Sequence, residues 1–249
     1  MSLISRTDLS AVQNSLFQAI WDWLPGHSDL DIDQNQSELA PISHAGDPDV
    51  VFTCGLPTGQ AVDHLQPLVA PVLAADRYGG RPIYFSDLVV RGGRRGPPAP
   101  AWRIGFNQKD SFSGWIAPRW GLAALGIEVD SMTWVATGSH LKALEAVKAG
   151  TVDAAGIDSM VLDLISGETA PGAGLETIES FGPWPAPPIS TSTALDPSVR
   201  ARLAEALTTM HQEPSGLHLL ATWGVARLAP VEAAEYARLA RFASTTATT

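Results

Sequence analysis

The chain has 249 residues, 45% hydrophobic and 17% charged, with 26 acidic against 16 basic side chains and a formal net charge of −10. That length can bury a core in one large or two small domains, and the composition excludes a disordered chain. The acidic balance excludes the basic footprint needed for nucleic acid or an anionic membrane surface, but it leaves a small anion open, because local dipoles override net charge at close range.

No apolar run of roughly 18 residues is present, so no membrane insertion is expected. Residues 1–8 lack the charged and apolar regions of a signal peptide, which predicts a cytoplasmic chain if it is full length. Cys54 is the one cysteine, so no internal disulfide forms.

Residues 2–5 read as a short strand. Thr7 is the expected cap of a helix over 8–23, whose apolar positions Leu9, Val12, Leu16, Ile20 and Trp23 recur three and four apart. Residues 26–48 read as a polar loop. It holds His27 and His44 without metal-ligand spacing, and neither metal nor cofactor is expected. A buried strand over 49–54 ends on Thr53 and Cys54 and runs into a turn over 55–60, with a helical turn over 61–65. Cys54 lacks a base partner and reads as a small core residue. Strands follow over 67–73 and 82–91.

The Gly/Pro-rich stretch 92–100 is a boundary, and its pair Arg94 and Arg95 reads as a solvated turn. Strands over 102–106, 131–136, 152–157 and 175–181 then alternate with helices over 113–125, 140–149 and 159–165. Such alternation predicts βαβ units on a parallel sheet, with the strand-end turns on one rim. A second Pro/Gly-rich stretch, 181–188, is the other boundary. After it come a strand over 189–193, a helix capped by Asp196 and opened by Pro197, helices near 215–222 and 231–242, and a frayed end over 244–249. His211 and His218 read as helix surface. The expected class is α/β, with two α/β lobes joined by a two-crossing hinge: lobe one is 1–91 plus 186–249 and lobe two is 92–185. Hinged lobes close around ligands.

Three strand-to-helix turns of lobe two carry the candidate site. The first is Asn107-Gln108-Lys109-Asp110-Ser111-Phe112-Ser113-Gly114-Trp115. Free amides and the positive dipole end of a helix start make an anion site there, Ser111 and Ser113 add hydroxyls, and Gly114 lets an anion approach the backbone. The plainer reading has Ser113 as an N-cap. The second turn, Thr137-Gly138-Ser139-His140, offers Ser139 and the His140 imidazole, as oxyanion donors or as an ordinary helix start. The third, Gly156-Ile157-Asp158-Ser159, offers Asp158, as a cap or as an acceptor for a ligand proton. No phosphate loop, dinucleotide fingerprint, nucleophile elbow or zinc-protease motif is present.

These turns, taken with Phe52-Thr53-Cys54-Gly55-Leu56-Pro57, the strand from Ile83-Tyr84-Phe85 to Arg91, and Val147-Lys148-Ala149-Gly150-Thr151-Val152-Asp153-Ala154, resemble the periplasmic substrate-binding components of phosphate, phosphite and phosphonate ABC transporters. The motifs stand in family order over roughly residues 50–160. The resemblance implies a type II periplasmic-binding-protein fold, a small oxyanion in the interlobe cleft, a transporter permease as partner, a periplasmic location, and no catalysis. It places the phosphoryl oxygens on Ser111, Phe112, Ser113 and His140, Tyr84 on the cleft wall, and Asp158 at the ligand's substituent. Phe112 replaces the family's middle hydroxyl and Leu56 an aromatic residue, which favours an apolar substituent. The alternatives are a cytosolic enzyme on the same fold, with Asp158 and His140 as acid and base, and a ligand-sensing module.

Overall fold

The computed structural model describes residues 3–7, 9–33, 49–94, 98–164, 170 and 172–246. Asp8, His44, Arg95 and residues 247–249, each touched by an expectation above, lie outside the described residues.

In chain order the strands are β1 Ser5–Thr7, β2 Val50–Phe52, β3 Leu65–Leu73, β4 Ile83–Arg91, β5 Arg103–Phe106, β6 Thr133–Ala136, β7 Ala154–Asp158, β8 Leu175–Pro185, β9 Ile189–Ser192 and β10 Val225–Pro230. The α-helices are α1 Ala11–Trp23, α2 Gly55–Gln60, α3 Ala117–Ala124, α4 His140–Ala149, α5 Ser159–Asp163, α6 Pro197–Thr209, α7 Pro214–Thr222 and α8 Ala233–Thr246. The chain divides into two compact units, Met1–Ile83 with Pro185–Arg241, and Tyr84–Trp184 with Phe242–Thr249.

The first unit is built on a sheet of order β1-β2-β9-β3-β10. Phe17 of α1 stacks on Phe52 at 5.3 Å and on Trp21 at 5.9 Å, so the apolar stripe of α1 is the face it buries. Several expectations are corrected here. The cap of α1 is Ser10, not Thr7: Ser10 and Gln13 form a reciprocal capping box, which satisfies two amides at once, and Thr7 belongs to β1. The turn after Cys54 is itself helical, as α2, and 61–64 is the turn that follows. The strand β10 was not foreseen. Its Ala-Arg-Leu-Ala-Pro composition has little β preference, and it succeeds as an edge strand, antiparallel to β3, where Pro230 interrupts no ladder. Helix α8 continues to Thr246, through residues expected to fray.

The second unit is built on a sheet of order β6-β5-β7-β4-β8. β5 runs parallel to β6 and to β7, as the βαβ pattern requires. The sheet is mixed, however: β4 is antiparallel to β7, and β8 lies next to β4, not among the parallel strands. β8 also continues through the Pro-rich stretch to Pro185, where a linker was expected. Alternation along the strands sorts the core into two layers. Leu88, Val90, Ile104 and Ala154 join Leu122 and Phe181 on one side. Val89, Ala155 and Ile157 join Ala143, Leu144 and Val147 on the other. Helices α3 and α4 therefore cover opposite faces. Their N-termini come together over one edge of the sheet, at the carboxyl ends of β5, β6 and β7.

Candidate functional site

The candidate site is this edge of the second unit. The first turn leaves β5 at Asn107 and enters a π turn, Phe112–Ile116, which continues directly into α3. Ser111 is its N-cap, with Oγ accepting from Gly114 N at 3.1 Å. The helical segment thus begins one residue earlier than expected, and the cap is Ser111 rather than Ser113. The amides of Phe112 and Ser113 precede the first residue that bonds back into the turn, so no intrahelical acceptor reaches them. Ser113, freed from capping, is buried inside the turn.

Two glycines explain how the turn packs. A Cβ on Gly156 of β7 would fall on Pro118 and would approach the carbonyls of Gly114 and Ser113 to 3.1 Å; glycine there lets β7 lie directly under the turn. A Cβ on Gly114 would occupy the position of Asn107 Oδ1 and approach Ser111 Oγ to 3.2 Å. Gly114 was expected to admit an anion; what it admits is the Asn107 carboxamide. Ser86 of β4 donates to the Ser113 carbonyl at 2.6 Å, which fixes the turn to the sheet from the other side.

The second turn is tied to the first by backbone. Thr137 N and Gly138 N donate to the carbonyls of Phe106 and Asn107 at 2.8 and 3.0 Å, and Gly138 takes a positive φ of 87°. The Thr137 hydroxyl donates to the Phe106 carbonyl at 2.8 Å. Ser139 caps α4, accepting from Lys142 N at 3.2 Å. His140 is the first residue of α4 and is buried, 6% exposed, not the surface histidine of the plainer reading. Its Nε2 meets Ser113 Oγ at 3.1 Å and Asn107 Nδ2 at 3.5 Å. Nδ1 is buried without a partner at hydrogen-bond geometry, and so is Asn107 Oδ1. Burial pushes the imidazole down from 6.5 to about 4, against a weaker upward pull from the Gly156 backbone. The ring is therefore neutral at neutral pH.

The remaining candidates fall in place around this pair. Asp158 ends β7, is buried, and caps α5 by accepting from Met160 N at 2.8 Å. It pairs in register with Ser86. Tyr84 begins the part of β4 within this unit and is buried. Phe112 is buried beside Trp184 at 4.8 Å and Phe242 at 6.1 Å, and Trp120 approaches Trp184 at 5.7 Å; an aromatic cluster therefore backs the first turn. Thr53 and Cys54 lie in the first unit. Thr53 is fully buried with its hydroxyl unpartnered, and Cys54 is half-buried and in no disulfide.

Sequence reasoning missed Asn107 and Ser86. Asn107 stands at the first position after an apolar strand, a signal that was available. Ser86 lies inside a strand and gave none. No lysine or arginine contact with Ser111, Ser113 or His140 appears among the described residues. The cations on either side of the first turn are laid over rings: Lys109 over Trp115 at 5.8 Å, and Arg119 over Trp115 and Trp134 at 4.9 and 5.2 Å. An anion at this edge would thus meet hydroxyls, amides and two helix dipoles rather than a full positive charge.

Comparison with known proteins gives the family and the fold. A family model described as ABC transporter, phosphonate, periplasmic substrate-binding protein matches residues 14–236, and the chain belongs to that family. Among solved structures, the chain is similar to a binding protein component of an ABC phosphonate transporter from Pseudomonas aeruginosa, at 18% identity and a TM-score of 0.76, covering 99% of this chain and 87% of that one. PhnD1 from Prochlorococcus marinus, solved with methylphosphonate, is 15% identical with a TM-score of 0.76, covering 100% and 99%. XAC2383 from Xanthomonas citri, solved with ATP, is 17% identical with a TM-score of 0.71, covering 100% and 99%. No curated protein sequence matches. The fold is that of type II periplasmic binding proteins. The family comprises periplasmic transporter components rather than enzymes, and no described helix is long and apolar enough to cross a membrane.

Proposed function

We propose that this protein binds a phosphonate- or phosphate-like oxyanion at the paired helix starts of the second unit, for delivery to an ABC-transporter permease. The observation that carries the reading is the meeting of the two starts through the buried Ser113–His140 contact at 3.1 Å. Ser111, Ser113 and Ser139, the amides of Phe112 and Ser113, and His140 behind them make up the proposed oxyanion set. Tyr84 and Asp158 are proposed to complete the ligand's surroundings. Phe112, in place of a hydroxyl, sets the aromatic cluster of Trp184, Trp120 and Phe242 beside the anion, which favours an apolar substituent.

Hydrogen bonds to a charged group contribute about 1.5–3 kcal/mol each. Four of them total about 6–12 kcal/mol, which brackets the roughly 8 kcal/mol of a micromolar complex before ordering costs are subtracted. Calorimetric titration with phosphate, phosphite, methylphosphonate and an aryl phosphonate tests the reading. One of them is expected to bind at micromolar affinity or better, and Ser111→Ala is expected to weaken it by about 1.5–3 kcal/mol. No heat from any of the four would sink the proposal.

A further inference from the structure

The His140 ring has two nitrogens, and the groups around it decide which one carries the proton. Nε2 faces Ser113 Oγ at 3.1 Å and Asn107 Nδ2 at 3.5 Å. Among the described residues the Ser113 hydroxyl meets no acceptor other than Nε2, which assigns its hydrogen to the ring. The amide orientation agrees: Asn107 Oδ1 is packed where a side chain of Gly114 would stand, which leaves the NH2 group facing the ring. Two donors on Nε2 make it an acceptor, and the proton is then on Nδ1. The Gly156 backbone favours a proton on the ring.

This arrangement fixes the polarity of Ser113. With its hydrogen turned to the ring, its remaining lone pairs are what it offers to a ligand. Ser111 and Ser139 are the reverse case. Each accepts a backbone amide, Gly114 N and Lys142 N, so each hydroxyl hydrogen is free to donate. The edge therefore presents two hydroxyl donors and the helix amides, together with an acceptor hydroxyl at Ser113.

We infer that Ser113, held as an acceptor by the positioning residues His140 and Asn107, selects an oxyanion that keeps one proton: the singly protonated phosphonate or phosphate, not the dianion. The inference rests on the oxyanion reading above and refines it. A monoanion also suits an edge with no full positive charge. A dianion would set an oxygen lone pair against Ser113 Oγ, with no hydrogen between them.

Charged groups on the packed elements are engaged or exposed. Asp158 on β7 caps α5, and Asp87 on β4 accepts from Ser180 at 2.7 Å. Lys142 and Glu145 on α4, and Lys109 and Asp110 before the turn, are exposed, and Arg119 on α3 pairs with Asp130. None of them contributes to the shift of His140.

The test is the affinity of the full chain for methylphosphonate and for its monomethyl ester, a monoanion without an acidic proton, across the pH range in which methylphosphonate loses its second proton. Nitrogen-15 NMR of the His140 ring runs alongside. The expected results are a neutral ring protonated on Nδ1, methylphosphonate affinity falling about tenfold per pH unit above its second ionisation as the competent fraction falls, and weaker binding of the ester throughout. In Ser113→Ala the pH slope is expected to flatten. A ring protonated on Nε2 overturns the inference whatever the variant does. So does methylphosphonate affinity that holds or rises as the second proton leaves. Absence of binding at every pH overturns the oxyanion reading itself.

Discussion

The two helix starts at the edge of the second unit are alike in composition and unlike in construction. The second, at Ser139, is a regular cap: one serine accepts one amide and the helix proceeds. The first, at Ser111, passes through a π turn before α3 begins. The difference lies in what is underneath. The first turn is pressed onto β7 at Gly156 and has the Asn107 carboxamide packed against Gly114, so its second serine, Ser113, is driven inside and meets His140. π turns occur often at functional sites. Here the irregular turn supplies the buried partner and the regular one supplies the ring.

That contrast can be broken at several points. Acid gives the largest effect. Unfolded His140 titrates near 6.5, whereas the folded ring is pushed down to about 4 by burial. The unfolded chain therefore binds the extra proton between these values. The His140 contribution is fully present above pH 6.5 and is lost as pH falls towards 4, by about 3 kcal/mol. Urea unfolding of wild type and His140→Gln over this range is expected to show the wild type losing more stability by that amount. Equal losses would show that the ring is not held neutral.

Gly156→Ala comes next. The added Cβ meets Pro118 and two carbonyls of the turn, and overpacking of this kind costs about 1–3 kcal/mol, read as a lower denaturation midpoint. The same change at Gly138, where nothing lies within 4 Å, strains only the positive φ and is expected to cost about 1 kcal/mol. Smallest is the cap itself. Ser139→Ala is expected to lower stability by roughly 1 kcal/mol and to leave the His140 shift in place, whereas Ser111→Ala alters the turn on which that shift depends. Thermal melts and ring NMR of the two variants separate these outcomes.

Much of this was legible in the residues. The boundaries of α4 follow from Ser139 before an amphipathic run and Gly150 after it, and the alternation after residue 102 predicts the parallel part of the second sheet. Ser111, Ser113 and His140 stood out because one cap needs one hydroxyl, whereas the first turn carries two and a similar turn with an imidazole follows.

What was not legible depends on neighbours distant in sequence. Whether Ser111 or Ser113 caps the first turn is decided by β7 and Asn107, not by local propensity. Whether His140 is exposed or buried is decided by a turn 27 residues away. The partner of β4 is β7 in antiparallel register, which no periodicity encodes, and β10 pairs because β3 offers it an edge. The Pro-rich stretch 181–188 does hold the division between the units, at Trp184 and Pro185, but its first residues are also the end of β8, since an edge strand tolerates missing amide donors.

The aromatic cluster behind the first turn has an optical consequence. Trp120 and Trp184 stand with ring centroids 5.7 Å apart at 75°, and the Phe112 ring is edge-on to Trp184 at 4.8 Å. Two indoles this close couple their strong transitions, so they give the far-ultraviolet circular dichroism a signed pair of bands. Because Phe112 lies between the two serines of the turn, any movement there changes the environment of one chromophore of the pair. The protein thus carries an unlabelled spectroscopic reporter next to the place where its ligand is proposed to arrive.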